Sequence, residues 1–214
     1  MAEYKIQKEY FQTAYNTGTD NWTQIDFKTK LLEYITYFPD KATILDVGCG
    51  RGLLSFLLAE IGYKVIGMDY IKKIDDVNNY EVKAKSLAGK LAFVAGDIFD
   101  IPLTDESVGI VLDAGLLHHI HLEDWDLYKK EVGRVLKRGG LYLSVSLSKE
   151  TMRYMDFHPK NSDTADFEKY GARYHFFKEN EIRSTFGPTY ELVKEESFVA
   201  KDQTVLLFTL LKKK

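Results

Sequence analysis

No stretch of the chain constrains its fold more than Ile44-Leu45-Asp46-Val47-Gly48-Cys49-Gly50-Arg51-Gly52. A short apolar run reaches an acid, turns through three glycines and enters an apolar helix predicted over residues 53–61. Glycine takes the left-handed backbone of such a turn without steric cost and lets a ligand approach the main chain. The helix start adds N–H groups that no earlier turn can satisfy. Strand, bare turn and helix in that order mark a nucleotide-type ligand at the carboxyl edge of a parallel sheet.

The glycines read G-x-G-x-G and Leu53 follows them. A dinucleotide turn carries G-x-G-x-x-G and holds a pyrophosphate on the helix start. Asp46 would repel that pyrophosphate, but it suits a ligand bearing an ammonium and a sulfonium. On these nine residues the chain resembles the class I, Rossmann-like S-adenosylmethionine-dependent methyltransferases. The resemblance implies S-adenosylmethionine as cofactor, with Gly48, Cys49 and Gly50 offering main chain to it. Asp46 is expected to reach the donor's ammonium, to hold the glycine turn by accepting backbone N–H bonds, or both. Asp69, 19 positions after Gly50, has the carboxylate to accept from both ribose hydroxyls. Tyr70 enters the cofactor site beside it. A ribose acid alone does not separate the methyl donor from NAD. By the same resemblance Asp97 accepts from the adenine amino group, while the Ile98 N–H faces a ring nitrogen.

Periodicity and turn signals predict five strands over residues 43–47, 64–68, 91–95, 108–112 and 141–145. Helices are predicted over 25–38 and 123–137, with a helical or irregular stretch over 74–88 and a short helix over 179–186. Leu31, Leu32, Ile35 and Phe38 form the apolar side of the first, and Arg138-Gly139-Gly140 stops the second. Two last strands, 190–198 and 204–211, are too closely joined for a parallel crossover and must be antiparallel. The fold class is therefore α/β, a doubly wound seven-stranded mostly parallel sheet with helices on both faces. The resemblance implies strand order 3-2-1-4-5-7-6 with strand 7 antiparallel. One methyltransferase domain is expected over 1–214: an N-terminal helical segment (1–41), a cofactor-binding core (42–147), a lid or substrate insertion (148–177), and a closing helix with hairpin (178–214).

After strand four comes Asp113-Ala114-Gly115-Leu116-Leu117-His118-His119-Ile120, expected as a loop over the transferable methyl. It lacks the Asn/Asp-Pro-Pro-Tyr sequence of relatives that methylate bases or glutamine amides. Asp113, His118 and His119 are the candidate catalytic residues, as a base toward a bound nucleophile. Asp113 is expected rather to touch the donor. The aromatic segment 146–178, with Tyr15 and Trp22, is expected to wall an acceptor pocket, and His158 and His175 are further base candidates. The Cys49 main chain is expected to matter more than its thiol. Arg51 reads as a solvated loop charge, and Lys212-Lys213-Lys214 as a solvated tail.

A net charge of −3 and a pI near 6.0 give no overall pull toward nucleic acid. A single cysteine excludes an internal disulfide, and no Cys/His spacing suggests a metal. With no apolar run of membrane length or signal-type start, no membrane partner and a cytoplasmic location are expected. The sequence thus predicts an S-adenosylmethionine-dependent methyltransferase acting on a small-molecule acceptor. A catalytically idle module that binds S-adenosylmethionine or a partner, and a protein-directed methyltransferase, remain as alternatives. Glycine spacing and the terminal hairpin disfavour a nicotinamide oxidoreductase.

Overall fold

The computed structural model describes residues 2–71, 86–87 and 89–214. Seven strands form one sheet: β1 (Thr43–Val47), β2 (Lys64–Asp69), β3 (Leu91–Ala95), β4 (Val108–Ala114), β5 (Leu136–Leu147), β8 (Tyr190–Val199) and β9 (Val205–Lys213). Their order is β3-β2-β1-β4-β5-β9-β8, and β9 runs antiparallel to both neighbours. This is the expected topology, with the last two strands in the expected places. A separate two-stranded hairpin, β6 (Asp166–Lys169) and β7 (Ala172–His175), lies within the expected lid segment. The stretch expected at 74–88 falls outside the described residues except for 86 and 87.

Strand alternation divides the core between two faces. Ile44, Ile110, Leu112 and Leu143 pack on one face with Leu31 and Tyr34 of helix α2 (Lys28–Ile35) and Phe56 of α3 (Leu53–Glu60). Leu45, Val111 and Tyr142 pack on the other with Tyr128, Val132 and Val135 of α4 (Trp125–Val135) and Ile182 of α5 (Glu181–Phe186). The helix α1 (Ala2–Thr17) precedes these layers. Parallel registry sets Val47 beside Met68 and Asp113, and Asp69 beside Ala95, so the strand tips end together at one edge.

Several boundaries differ from expectation for local reasons. Helix α2 is shorter than 25–38, and its buried stripe is Leu31, Tyr34 and, just beyond it, Phe38; Leu32 is off the stripe and exposed. Strand β4 continues to Ala114, so Asp113 lies inside the sheet rather than in a loop. Strand β5 starts at Leu136, which already pairs with Val108, and the register jumps before Ile110 meets Leu141. Gly139 and Gly140 are therefore a bulge, not a helix stop. Gly139 has φ +71°, and a β-carbon on Gly140 would lie 2.9 Å from the Gly109 carbonyl oxygen. Lys212 and Lys213 belong to β9 and are no free tail. The Lys213 ammonium donates to the Gly133 and Leu136 carbonyls at 2.8 and 2.7 Å, at the negative end of α4.

Candidate active site

The glycine turn is held from beneath by strand β2. The Cys49 N–H donates to the Met68 carbonyl at 3.0 Å, and the Gly52 N–H closes the turn onto the Cys49 carbonyl at 2.8 Å. Gly48, Gly50 and Gly52 all have φ between +50° and +70°. Asp69 braces the turn: Oδ2 accepts from the Gly50 N–H and Oδ1 from the Ile71 N–H, each at 2.9 Å. Burial raises its pKa, and those backbone bonds oppose the rise. Asp46 is buried beneath the turn and accepts the Ser55 hydroxyl at 2.5 Å. Burial, opposed by that bond and helped by the nearby Asp69 and Asp113, pushes its pKa up to about 7.

Two cavities open over this turn. One, of about 500 Å³, is bordered by Asp69, Tyr70, Asp97, Ile98, Phe99 and Leu116. The other, of about 430 Å³, is bordered by Asp46, Cys49, Trp22, His118, Tyr174 and Phe176. Phe11, Tyr15, Gly48, Gly115 and His119 border both, so the cavities adjoin there. Helix α1 roofs the junction: a β-carbon on Gly50 would lie 2.9 Å from the Tyr15 hydroxyl. Trp22 lies against Gly115, where φ is +95° and a β-carbon would meet the indole at 2.6 Å.

The sequence reading anticipated Tyr15 and Trp22 as walls but missed Tyr4, Gln7, Lys8 and Phe11, which border the larger cavity. The available signal was spacing: Gln7, Phe11 and Tyr15 stand four apart and share one helix face. Lys8 lies over the Tyr70 ring, 5.2 Å from its centroid. Asp97 is exposed and accepts the Phe99 N–H at 2.9 Å. Arg51 is no solvated loop charge, since it pairs with buried Asp20 at 3.6 Å.

The histidines separate into distinct environments. His118 and His119 stack edge-on with ring centroids 4.3 Å apart, beside Trp22 and Tyr174 respectively. Burial first, then the neighbouring His119, holds the His118 pKa well below its usual value, and its Nδ1 has no hydrogen-bond partner. His119 Nδ1 bonds to the Arg173 carbonyl oxygen, which can only accept, so Nδ1 carries the proton. Burial pushes the His119 pKa down to about 4, against that bond.

Three other candidates are corrected. Asp113 borders neither cavity. Its carboxylate faces α4 and accepts from Tyr128 at 2.6 Å, Tyr142 at 3.0 Å and the Leu116 and Leu117 N–H groups at 3.0 and 3.1 Å. It is a buried strut, able neither to reach a ligand nor to move a proton for one. His175 is held at both nitrogens, by Asp166 at 2.9 Å and Glu181 at 2.8 Å. Burial would lower its pKa, and the two carboxylates reverse that and raise it, so the ring ties the hairpin to α5. His158 closes a 3-10 turn at φ +53° and borders neither cavity. Cys49 keeps its proton, because burial and the nearby Asp46 push the thiol's pKa well up. No cluster able to hold a metal occurs among the described residues, and no described helix is long and apolar enough to cross a membrane.

Residues 45–144 match the family model of a methyltransferase domain. A probable S-adenosylmethionine-dependent methyltransferase of Mycolicibacterium smegmatis is 31% identical over 102 residues, covering 47% of this chain and 36% of that protein. An eEF1A lysine and N-terminal methyltransferase of Bos taurus is 30% identical over 120 residues, covering 52% of this chain and 17% of that protein. The chain thus spans well under two thirds of the length of these curated relatives. In fold, it is similar to the Burkholderia thailandensis 1,6-didemethyltoxoflavin-N1-methyltransferase, solved with 1,6-didemethyltoxoflavin and S-adenosylhomocysteine bound. That likeness has a TM-score of 0.78 at 19% identity, over 98% of this chain and 88% of the other.

Proposed function

We propose that this chain is a class I S-adenosylmethionine-dependent methyltransferase that methylates a small-molecule acceptor, a reading supported by its matched domain and its sheet. One observation carries the reading. Two adjoining cavities meet beneath α1, and the smaller, at about 430 Å³, has the size of a small-molecule site.

The residues of the larger cavity fit the donor. Gly48 and Gly115 leave bare backbone along it, and Asp69 keeps lone pairs on two adjacent oxygens for a vicinal diol. Tyr70 stands beside that carboxylate, and Asp97 with the Ile98 N–H offers an acceptor and a donor to the edge of an adenine. Asp46, under the turn on the other side, suits the donor's cationic end. When bound, S-adenosylmethionine supplies a methyl carbon made electrophilic by its sulfonium. The chain's own task is to align the acceptor atom with that carbon and exclude water. Phe11, Tyr15 and the hairpin residue Tyr174 do so from above, and His119 stands where the cavities adjoin.

Relatives that methylate proteins give the alternative acceptor, a lysine or N-terminal amine. Calorimetry distinguishes the donor readings: S-adenosylmethionine and S-adenosylhomocysteine should bind, and NAD should not. Asp69→Ala should weaken donor affinity about tenfold or more by removing two hydrogen-bond acceptors and the brace on Gly50. Unchanged affinity would remove Asp69 from the donor site. Small-molecule and lysine-peptide acceptor panels then decide between the two classes of product.

A further inference from the structure

The N-terminal helix, the turn after β4 and the hairpin strand β7 are joined by a closed ring of hydrogen bonds. Gln7 Nε2 donates to the His119 carbonyl at 3.1 Å. The Arg173 N–H donates to Gln7 Oε1 at 3.0 Å. The Arg173 carbonyl in turn accepts from His119 Nδ1. Gln7 is 6% exposed, so both ends of its amide are committed inside the protein.

We propose that Gln7 is a positioning residue that fixes His119 with its Nε2 lone pair at the junction of the two cavities, where it takes the proton of a planar N–H or O–H acceptor. This rests on the methyltransferase reading. Because a carbonyl oxygen cannot donate, the ring of bonds allows one neutral tautomer, with hydrogen on Nδ1 and a lone pair on Nε2. The imidazole is also fixed in its plane. Phe11 and Tyr174 each contact it edge-on with centroids 4.8 Å away, and His118 does so at 4.3 Å. Of the two neighbouring histidines, His118 borders only the smaller cavity, whereas His119 borders both.

The acceptor class follows from the walls. Trp22, Phe157, Tyr174 and Phe176 present ring faces and edges to the smaller cavity, which favours a flat molecule. Burial keeps His119 neutral and makes it a weak base. A phenol, enol or ring lactam is flat enough for those walls and presents one N–H or O–H at its edge, where His119 borders the cavity. In the step, the acceptor's X–H bond breaks, its electron pair stays on X as the nucleophile, and the proton passes to Nε2. The resulting imidazolium keeps its Nδ1–H on the Arg173 carbonyl and later yields the Nε2 proton to water.

The test uses the whole chain saturated with S-adenosylhomocysteine. Long-range proton–nitrogen correlation spectra should show His119 protonated at Nδ1 in the wild type. Gln7→Met, similar in size but unable to make either bond, should give a mixture of tautomers. 4-Nitrophenol, whose anion absorbs in the visible, should bind with the wild type and lose about tenfold in affinity with Gln7→Met. N-acetyl-lysine methylamide should not compete with it. An Nε2-protonated His119 in the wild type overturns the proton-acceptor role, a measurement that needs no variant to fold. An unchanged tautomer in Gln7→Met overturns the role of Gln7, and Gln7→Glu, which retains the bond from Arg173, serves if the first variant does not fold. Failure of 4-nitrophenol to bind, or competition by the lysine compound, overturns the acceptor class. Failure of S-adenosylhomocysteine to bind sinks the methyltransferase reading instead.

Discussion

Asp46 and Asp113 stand in adjacent strands, both almost sealed from water, and their fates differ through their partners. Asp113 has four donors around its two oxygens, which stabilise the ion against the burial that raises its pKa. Asp46 has the Ser55 hydroxyl and a cavity in front of it, and its pKa reaches about 7. A cation arriving in that cavity lowers the pKa again, so donor binding should expel a proton near pH 6.5. Calorimetry in buffers of different ionisation enthalpy should show the release, with less at pH 8.5 and none in Asp46→Asn. The sign for stability is the reverse of an ordinary paired acid. Between the unfolded value, about 3.9, and the folded value, the native state holds the extra proton, so this group makes the ligand-free protein less stable as pH rises. For Asp113, Tyr128→Phe should cost about 1–3 kcal/mol by stranding part of a buried carboxylate. Chemical denaturation measures it, and donor affinity should hold. The sequence placed an acid at the strand end but not its direction. The deciding partners, Tyr128 and Tyr142, lie 15 and 29 positions later, beyond the reach of local pattern.

Among the elements, β1, β2 and β3 were legible almost to the residue, because alternation on a two-faced sheet writes itself into adjacent positions. β1 and β3 match expectation at both ends. The errors collect where one local signal serves two purposes, as when Gly139 and Gly140 make a bulge rather than a cap. Hairpin β6–β7 was legible as an aromatic insertion but not as a hairpin, since its anchors are ionic and remote. Asp166 and Glu181 hold His175 from either side, and Asp166 also takes Arg173 at 3.1 Å. The raised pKa of His175 means its contribution is complete below about pH 6.5 and is lost as pH rises through the folded value. Despite burial, their bonds to His175 lower the pKa values of Asp166 and Glu181, so theirs is complete above about pH 4.3 and lost as pH falls through the folded values. Protection of the hairpin amides from hydrogen exchange, taken relative to the intrinsic rate at each pH, should therefore be greatest between the two limits and fall on either side. His175→Gln should flatten the alkaline limb.

Across the whole molecule, the three acids proposed to meet the donor and the aromatic side chains walling the smaller cavity come from different parts of the chain. Asp46, Asp69 and Asp97 fall inside the matched span, residues 45–144. Tyr15, Trp22, Phe157, Tyr174 and Phe176 fall outside it, on segments that flank the core in sequence and meet only after folding. This is why cofactor chemistry could be read from a few residues and the acceptor could not. Helix α1 has one more bearing on how the protein works. Since Phe11 and Tyr15 border both cavities and Gln7 ties the same helix to the opposite rim, the proposed function would give spent donor and finished product a common doorway beneath α1. Their escape rates should then be linked: a change in α1 that speeds release of one should speed release of the other.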